Sequence, residues 1–156
     1  MPVWPLESVW PVESIGTRRP VVSHEFEPVK HLGVDIMFRK LDGHGFEVPA
    51  GVYARACTAG AVLYAKPAPN GLRVRIRDQH GQDTVYLHLL SLSVHAGDIV
   101  AAGARLGLVG HDPSPADPAH VRHLHFEVRI KNMDGPRDGF GRSPVDPSDF
   151  IKTWSY

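Results

Sequence analysis

The sequence contains a single cysteine, Cys57, among its 156 residues, so neither an intramolecular disulfide framework nor a zinc site built from paired cysteines can form. Cys57 lies within the apolar segment VYARACTAGAV, which predicts a small core residue. Basic runs are also missing, and Lys and Arg number 17 against 17 for Asp and Glu. This balance argues against a nucleic-acid-binding protein.

Long apolar runs are missing as well, so we expect no membrane span. The first residues, MPVWPLESVWPVES, lack the positive and apolar regions of a secretory signal, and no export signal is visible. The length favours one compact domain. We predict an irregular arm rich in tryptophan and proline over residues 1–17 and a single domain over residues 18–156.

No long amphipathic helix and no internal repeat can be found, whereas Gly (15) and Pro (14) mark frequent turns. The predicted class is therefore all-β, with a mostly antiparallel sheet and long loops that wall a cleft. Val52–Ala56 and Gly60–Lys66 are predicted to pair as a hairpin. In LRVRIRD, residues 72–78, the aliphatic side chains are expected to face inward and the three arginines to form a solvated face, or to hold an anionic polymer.

Three segments share a pattern in which histidines alternate with apolar residues. In HLHFEV, His123, His125 and Glu127 share one face, and the apolar residues share the other. HLGVDI places His31, Gly33 and Asp35 on one side. TVYLHLL places Tyr86 and His88 opposite Val85, Leu87 and Leu89. Three strands that are apolar behind and carry imidazoles in front predict one shared site.

The remaining histidines carry weaker signals. His44 lies between two glycines, and His80 and His95 lie at turns, so we expect solvated turn residues. His111 and His120 lie in the long proline-rich loop HDPSPADPAHVR, where plain loop residues are favoured over substrate contacts. We expect this loop and the polar segment 39–51 to wall the cleft.

A catalytic zinc ion takes three protein ligands and keeps a fourth position for water. Two imidazoles and a carboxylate from two strands meet that need. In a straight strand His31 and Asp35 would lie about 13 Å apart, so the backbone must bend, and Gly33 is where it can. The spacing alone does not tell whether His123 or His125 is the ligand.

The motifs HLGVD, YLHL and HLHFEV, in this order, resemble the signature of the lysostaphin/LytM-type zinc metallopeptidases, which cleave peptide bonds in bacterial peptidoglycan. The likeness runs from WPVES near Trp10 through AGDIVAAGARLGLVG to PVDPSDF, and so covers most of the chain. It implies that His31, Asp35 and His125 bind one zinc ion.

The same resemblance implies that His88 and His123 are catalytic, because they occupy the family's YxHL histidine and the first histidine of HxH. No HExxH glutamate is present, so an imidazole would move the proton in zinc-assisted hydrolysis. Glu127 fits either a carboxylate that orients a ligand or a surface salt bridge. The tyrosine that the family places upstream is absent, and His24 or Glu25 is the candidate to replace it.

The expected function is a zinc metalloendopeptidase that acts on peptidoglycan peptides, delivered to the cell wall by lysis as an endolysin, by a phage particle or by an unseen export route. The main alternative is a non-catalytic LytM-like module that activates another wall hydrolase. Such modules typically lack zinc ligands, whereas this chain keeps all three. A cupin-like metal barrel is disfavoured because Glu127 follows His125 by only two residues.

Overall fold

The computed structural model describes residue 4, residues 7–131 and residues 135–156. Within these ranges no helix is long and apolar enough to cross a membrane. The described elements are β1 (Val21–His24), β2 (Val34–Arg39), β3 (Phe46–Glu47), β4 (Tyr53–Arg55), β5 (Gly60–Ala68), β6 (Gly71–Arg77), β7 (Asp83–Leu89), β8 (Ile99–Val100), β9 (Arg105–Leu108), β10 (Leu124–Ile130), β11 (Ser143–Val145) and α1 (Ser148–Ile151).

One large antiparallel sheet dominates the fold. Its strands are ordered β1-β2-β10-β7-β6-β5-β8, with β3 paired to β2 and β11 paired to β10. A second, two-stranded sheet is formed by β4 and β9. The prediction of an all-β, mostly antiparallel fold is confirmed.

The core lies behind the face of the large sheet that the sequence pattern predicted to be apolar. Leu124, Phe126 and Val128 of β10 are fully buried, as are Val34 and Ile36 of β2. Side chains alternate between the two faces of a strand, so the residues between them point to the opposite face. The core also takes up Cys57, as expected, and residues of β4, β9 and the two chain ends.

The predicted hairpin between Val52–Ala56 and Gly60–Lys66 is wrong. Strand β4 pairs with β9, and β5 pairs with β6 and β8. Both predicted segments do form strands, but they do not pair with each other. The β5–β6 hairpin instead turns at Pro69 and Asn70.

The expectation of a solvated arginine face on β6 is wrong for Arg75, which is only 3% exposed. Arg75 Nε donates to Asp83 Oδ2 at 2.7 Å, and Arg75 Nη1 donates to Asp138 Oδ2 at 2.7 Å. Arg77 also donates to Asp83, at 2.6 Å from Nε. The alternation of β6 predicted that Arg75 would be exposed. Its ion pairs with Asp83 of β7 and with Asp138 allow it to be buried instead.

The polar segment 39–51 does not wall the cleft. It folds back on β2 as a short hairpin, in which Phe38 pairs with Glu47 and Arg39 with Phe46. His44 is exposed in this turn, as expected.

The described part of the N-terminal arm packs onto the core. Val9 forms a bridge to Ser155 and Val12 forms one to Ala54. The Trp10 ring stacks on Tyr156 with centroids 5.0 Å apart. The division into an arm over residues 1–17 and a domain over residues 18–156 stays a prediction.

We predict that Gly33→Ala lowers the free energy of unfolding by about 1–3 kcal/mol, because a methyl group there would overlap the Phe126 carbonyl oxygen and reach Glu127 Cγ at 2.9 Å. The main chain of β10 cannot move aside without breaking its pairing with β2. Gly139→Ala is the matched control, since nothing lies within 4 Å of the added carbon. Equal urea midpoints for the two variants would contradict this packing.

We expect Asp83→Ala to destabilise the protein by about 3–5 kcal/mol, because it removes the fully buried partner of two arginines. Asp149→Ala removes one half of an exposed pair with Lys152 and should cost at most about 1 kcal/mol. Denaturant unfolding of both variants measures the difference. A loss below 1 kcal/mol for Asp83→Ala would show that Arg75 does not depend on this ion pair.

Candidate functional site

Three neighbouring strands, β2, β10 and β7, carry the predicted site on the polar face of the large sheet. Asp35 on β2 and His125 on β10 are directly opposite each other in the register. Opposite residues of an antiparallel pair project from the same face with close Cβ atoms. The pairing of the two strands therefore brings this carboxylate and imidazole together.

His31 reaches the same point because the chain bends at Leu32 and Gly33 before β2 begins. Its Nε2 lies 3.1 Å from Asp35 Oδ1, far closer than a straight strand allows. The predicted bend is confirmed. The His31 Nδ1 donates to the Glu25 carbonyl oxygen at 2.7 Å, which leaves Nε2 as the acceptor nitrogen in the neutral ring.

Three atoms that can ligate a metal ion, one each from His31, Asp35 and His125, lie close to one another. His125 Nδ1 lies 3.1 Å from His31 Nε2 and 3.2 Å from Asp35 Oδ1. Ligand atoms about 2.1 Å from a tetrahedral zinc ion are separated by roughly 3.4 Å. Two imidazole nitrogens and one carboxylate oxygen at these separations fit a zinc ion with one further position for water.

Glu127 holds the far side of His125. Its Oε1 lies 3.0 Å from His125 Nε2, and its Oε2 accepts from Arg129 Nε at 2.6 Å. The carboxylate is 6% exposed. The ion pair of Glu127 is thus with Arg129 of the same strand and is largely buried, so the alternative of a surface salt bridge is wrong. The contact with His125 is the one expected of a carboxylate that orients a ligand.

The electrostatics of the site favour a positive charge where the donor atoms meet. Burial raises the pKa of Asp35, but the His125 hydrogen bond and the charges of His123, His125 and His31 outweigh it and hold the pKa well below its usual range. Burial lowers the pKa of His125, but hydrogen bonds with Asp35 and Glu127 raise it to about 9. A divalent cation can take over that positive charge.

His88 enters the site through a local irregularity of β7. Its φ is 69°, in the left-handed region, and the register with β6 shifts between Leu72 and Val74. This bulge changes the face to which the strand presents its side chains. Tyr86 is consequently fully buried in the core, so the prediction that Tyr86 and His88 share a face is wrong.

His88 and His123 lie beside the donor cluster with ring centroids 4.8 Å apart. His88 Nδ1 donates to the Asn70 carbonyl oxygen at 2.6 Å, and His123 Nδ1 donates to that of Val121 at 2.9 Å. Each neutral ring therefore presents Nε2 as a proton acceptor. Burial lowers the pKa of His88 from its ordinary value.

His24, a candidate replacement for the missing tyrosine, adds a contact that the strand alternation did not predict. It ends β1, and its Nδ1 lies 3.3 Å from Asp35 Oδ2. The His24 ring stacks on His31 with centroids 3.9 Å apart. The short run VVSH was the available signal for this strand. Glu25 contributes only its carbonyl oxygen to this cluster, through His31.

The site histidines and Asp35 line an open cleft of about 710 Å³. The proline-rich loop walls one side, as predicted, through Asp112, Ala116, Asp117 and Val121. His111 and His120 face each other within that loop, with centroids 5.0 Å apart, and do not line the cleft.

A profile of the family described as peptidase family M23 matches residues 39–147. The match covers more than half of the chain and includes His88, His123 and His125. His31 and Asp35 precede it.

Two curated relatives extend the comparison. The DD-carboxypeptidase/endopeptidase Mpg of Neisseria meningitidis serogroup B is 30% identical over 111 residues, which cover 70% of this chain and 24% of the relative. The peptidoglycan DD-endopeptidase ShyA of Vibrio cholerae is 27% identical over 129 residues, which cover 82% and 27%. The chain thus spans about a quarter of the length of these relatives.

The fold has a solved counterpart in the antimicrobial peptidase lysostaphin from Staphylococcus simulans. The TM-score is 0.66 at 21% identity, and the alignment covers 96% of this chain and 55% of the other. The fold that the resemblance implied is confirmed. On the extent of the profile match and the identity to Mpg, this chain belongs to peptidase family M23.

Proposed function

We propose that this protein is a zinc-dependent endopeptidase that hydrolyses peptide bonds in bacterial peptidoglycan. The carrying observation is the convergence of His31 Nε2, Asp35 Oδ1 and His125 Nδ1, within 3.1–3.2 Å of one another, in an open cleft. Family membership supports peptide hydrolysis, and the activities for which Mpg and ShyA are named support peptidoglycan as the substrate.

His31, Asp35 and His125 would hold the ion. A bound zinc ion supplies a water molecule with a pKa lowered toward about 7 and polarises the scissile carbonyl group. His24 contacts Asp35, and Glu127 contacts His125. These contacts would keep the two ligands in their orientation when the substrate binds.

In this proposal His88 and His123 carry out the proton transfers. Their Nδ1 atoms donate to backbone carbonyl oxygens, so each Nε2 can take a proton from water or, when protonated, donate to the developing oxyanion. The proton then returns to the leaving amine. The pair carries both tasks, and no glutamate base is required.

Zinc content and hydrolysis of purified sacculi test the proposal. We expect native protein to bind one zinc ion and to release peptide fragments that mass spectrometry identifies. Chelation should abolish release, and added zinc should restore it. His125→Ala should weaken zinc affinity by more than about 100-fold, since even outer-shell partners contribute 10–100-fold, and should release no fragments.

Two further variants sharpen this test. His123→Ala should keep its zinc while losing about 10²–10⁴-fold in rate. His44→Ala, at an exposed turn, should keep both. Fragment release by chelated or His125→Ala protein contradicts the metal mechanism. Zinc-loaded native protein that leaves sacculi intact contradicts catalysis and favours the non-catalytic module.

A pH profile tests the role of His88. Burial lowers its pKa, so the neutral, proton-accepting ring persists below the ordinary value of about 6.5. If His88 is the base, kcat/KM should stay high as the pH falls through 6.5 and should decline only at lower pH. Imidazole titration by NMR, with His88→Gln to assign the signal, gives the value independently. A decline centred at or above 6.5 contradicts this assignment.

A further inference from the structure

A second cavity of about 350 Å³ adjoins the catalytic cleft on the same face of the sheet, and Leu87 and Glu127 line both. We call it the basic cavity. Its charged lining consists of four cations and two acids, and two aromatic rings complete its wall: Lys66, Arg73, Arg75, Arg129, Glu127, Asp138, Tyr64 and Phe140.

The acids of the basic cavity are already engaged. Asp138 accepts from Arg75 Nη1 at 2.7 Å and lies 3.3 Å from Arg129 Nη1. Glu127 accepts from Arg129 Nε at 2.6 Å. Asp83 beneath the cavity neutralises Arg75 and Arg77. The two remaining cations, Lys66 and Arg73, therefore carry the excess positive charge.

Lys66 and Arg73 are directly opposite each other on β5 and β6. Like charges in opposite positions of a sheet repel and are destabilising. Among the carboxylates of residues 7–131 and 135–156, none pairs with either side chain. Arg73 Nη2 donates to Asn70 Oδ1 at 2.8 Å, and within the described part of the chain its buried Nε has no hydrogen-bond partner.

We propose that the basic cavity binds a carboxylate group of the peptide substrate, held between Lys66 and Arg73. An anion there relieves the repulsion and accepts charge-assisted hydrogen bonds from the ammonium and guanidinium groups. This inference rests on the proposed function for the nature of the substrate. It adds a binding site for one charged group outside the zinc and proton-transfer residues.

The distance between Arg73 and the zinc ligands suits a carboxylate a few residues away from the cleaved peptide bond. Strand β7 separates β6 from β10, so two strand spacings of about 4.8 Å place Arg73 roughly 10 Å from the strand of His125. An extended peptide spans this distance in about three residues. The Tyr64 ring lies under Lys66 Nζ, 4.7 Å from its centroid, and so holds this ammonium group beside the cavity.

Matched substrates test the proposal. Cross-linked muropeptide dimers with free carboxylates are compared with the same dimers after amidation of those groups. We expect wild-type kcat/KM to favour the free-carboxylate form by about tenfold or more, because a charge-assisted hydrogen bond contributes about 1.5–3 kcal/mol. In Lys66→Gln/Arg73→Gln this ratio should fall to about one.

Lys40→Gln/Lys152→Gln is the control, since it removes the same two charges outside both cavities. The control should keep the wild-type ratio. Equal wild-type rates on the two dimers, or an equal fall of the ratio in both double variants, overturns the carboxylate site and leaves the endopeptidase proposal intact.

Calorimetric binding separates the two proposals if the wild-type protein cleaves neither dimer. That result contradicts the endopeptidase function. Tighter binding of the free-carboxylate dimer to zinc-loaded wild-type protein than to Lys66→Gln/Arg73→Gln then still supports the site. Equal binding of the free and amidated dimers by wild-type protein overturns it.

Discussion

The pairing register between β2 and β10 is the constraint on which the candidate site depends. It sets Asp35 opposite His125 and, on the other face, Ile36 opposite Leu124 and Val34 opposite Phe126. A slip by one residue would turn the apolar side chains to the cleft and the polar ones into the core. The burial of the core therefore enforces the position of the donor atoms.

A second constraint acts on the imidazole rings. His31, His88, His123 and His125 each have one ring nitrogen within hydrogen-bond distance of an oxygen acceptor. Three of these acceptors are backbone carbonyls, of Glu25, Asn70 and Val121, which do not titrate. The hydrogen bonds to these carbonyls therefore fix the rings before any ligand binds. Preformed donors of this kind need little reorganisation during a reaction.

Much of the site could be predicted from the alternation of polar and apolar residues in short segments. The period-two alternation of HLHFEV placed His123, His125 and Glu127 on one face, because a strand allows only two sides. The length limit between His31 and Asp35 required the bend found next to Gly33. The sequence also excluded disulfides, and resemblance of its motifs pointed to His125 as the histidine that joins the cluster.

The sequence was enough to predict the all-β class, the faces of regular strands and the grouping of His31, His88, His123 and His125, since these follow from short motifs along the chain. The folded chain was needed to reveal the partner of β4, the burial of Arg75 and the opposite directions of Tyr86 and His88. Each of these depends on contacts between distant segments, namely a partner strand, the carboxylates of Asp83 and Asp138, and a bulge against β6. Periodicity contains no information about such contacts.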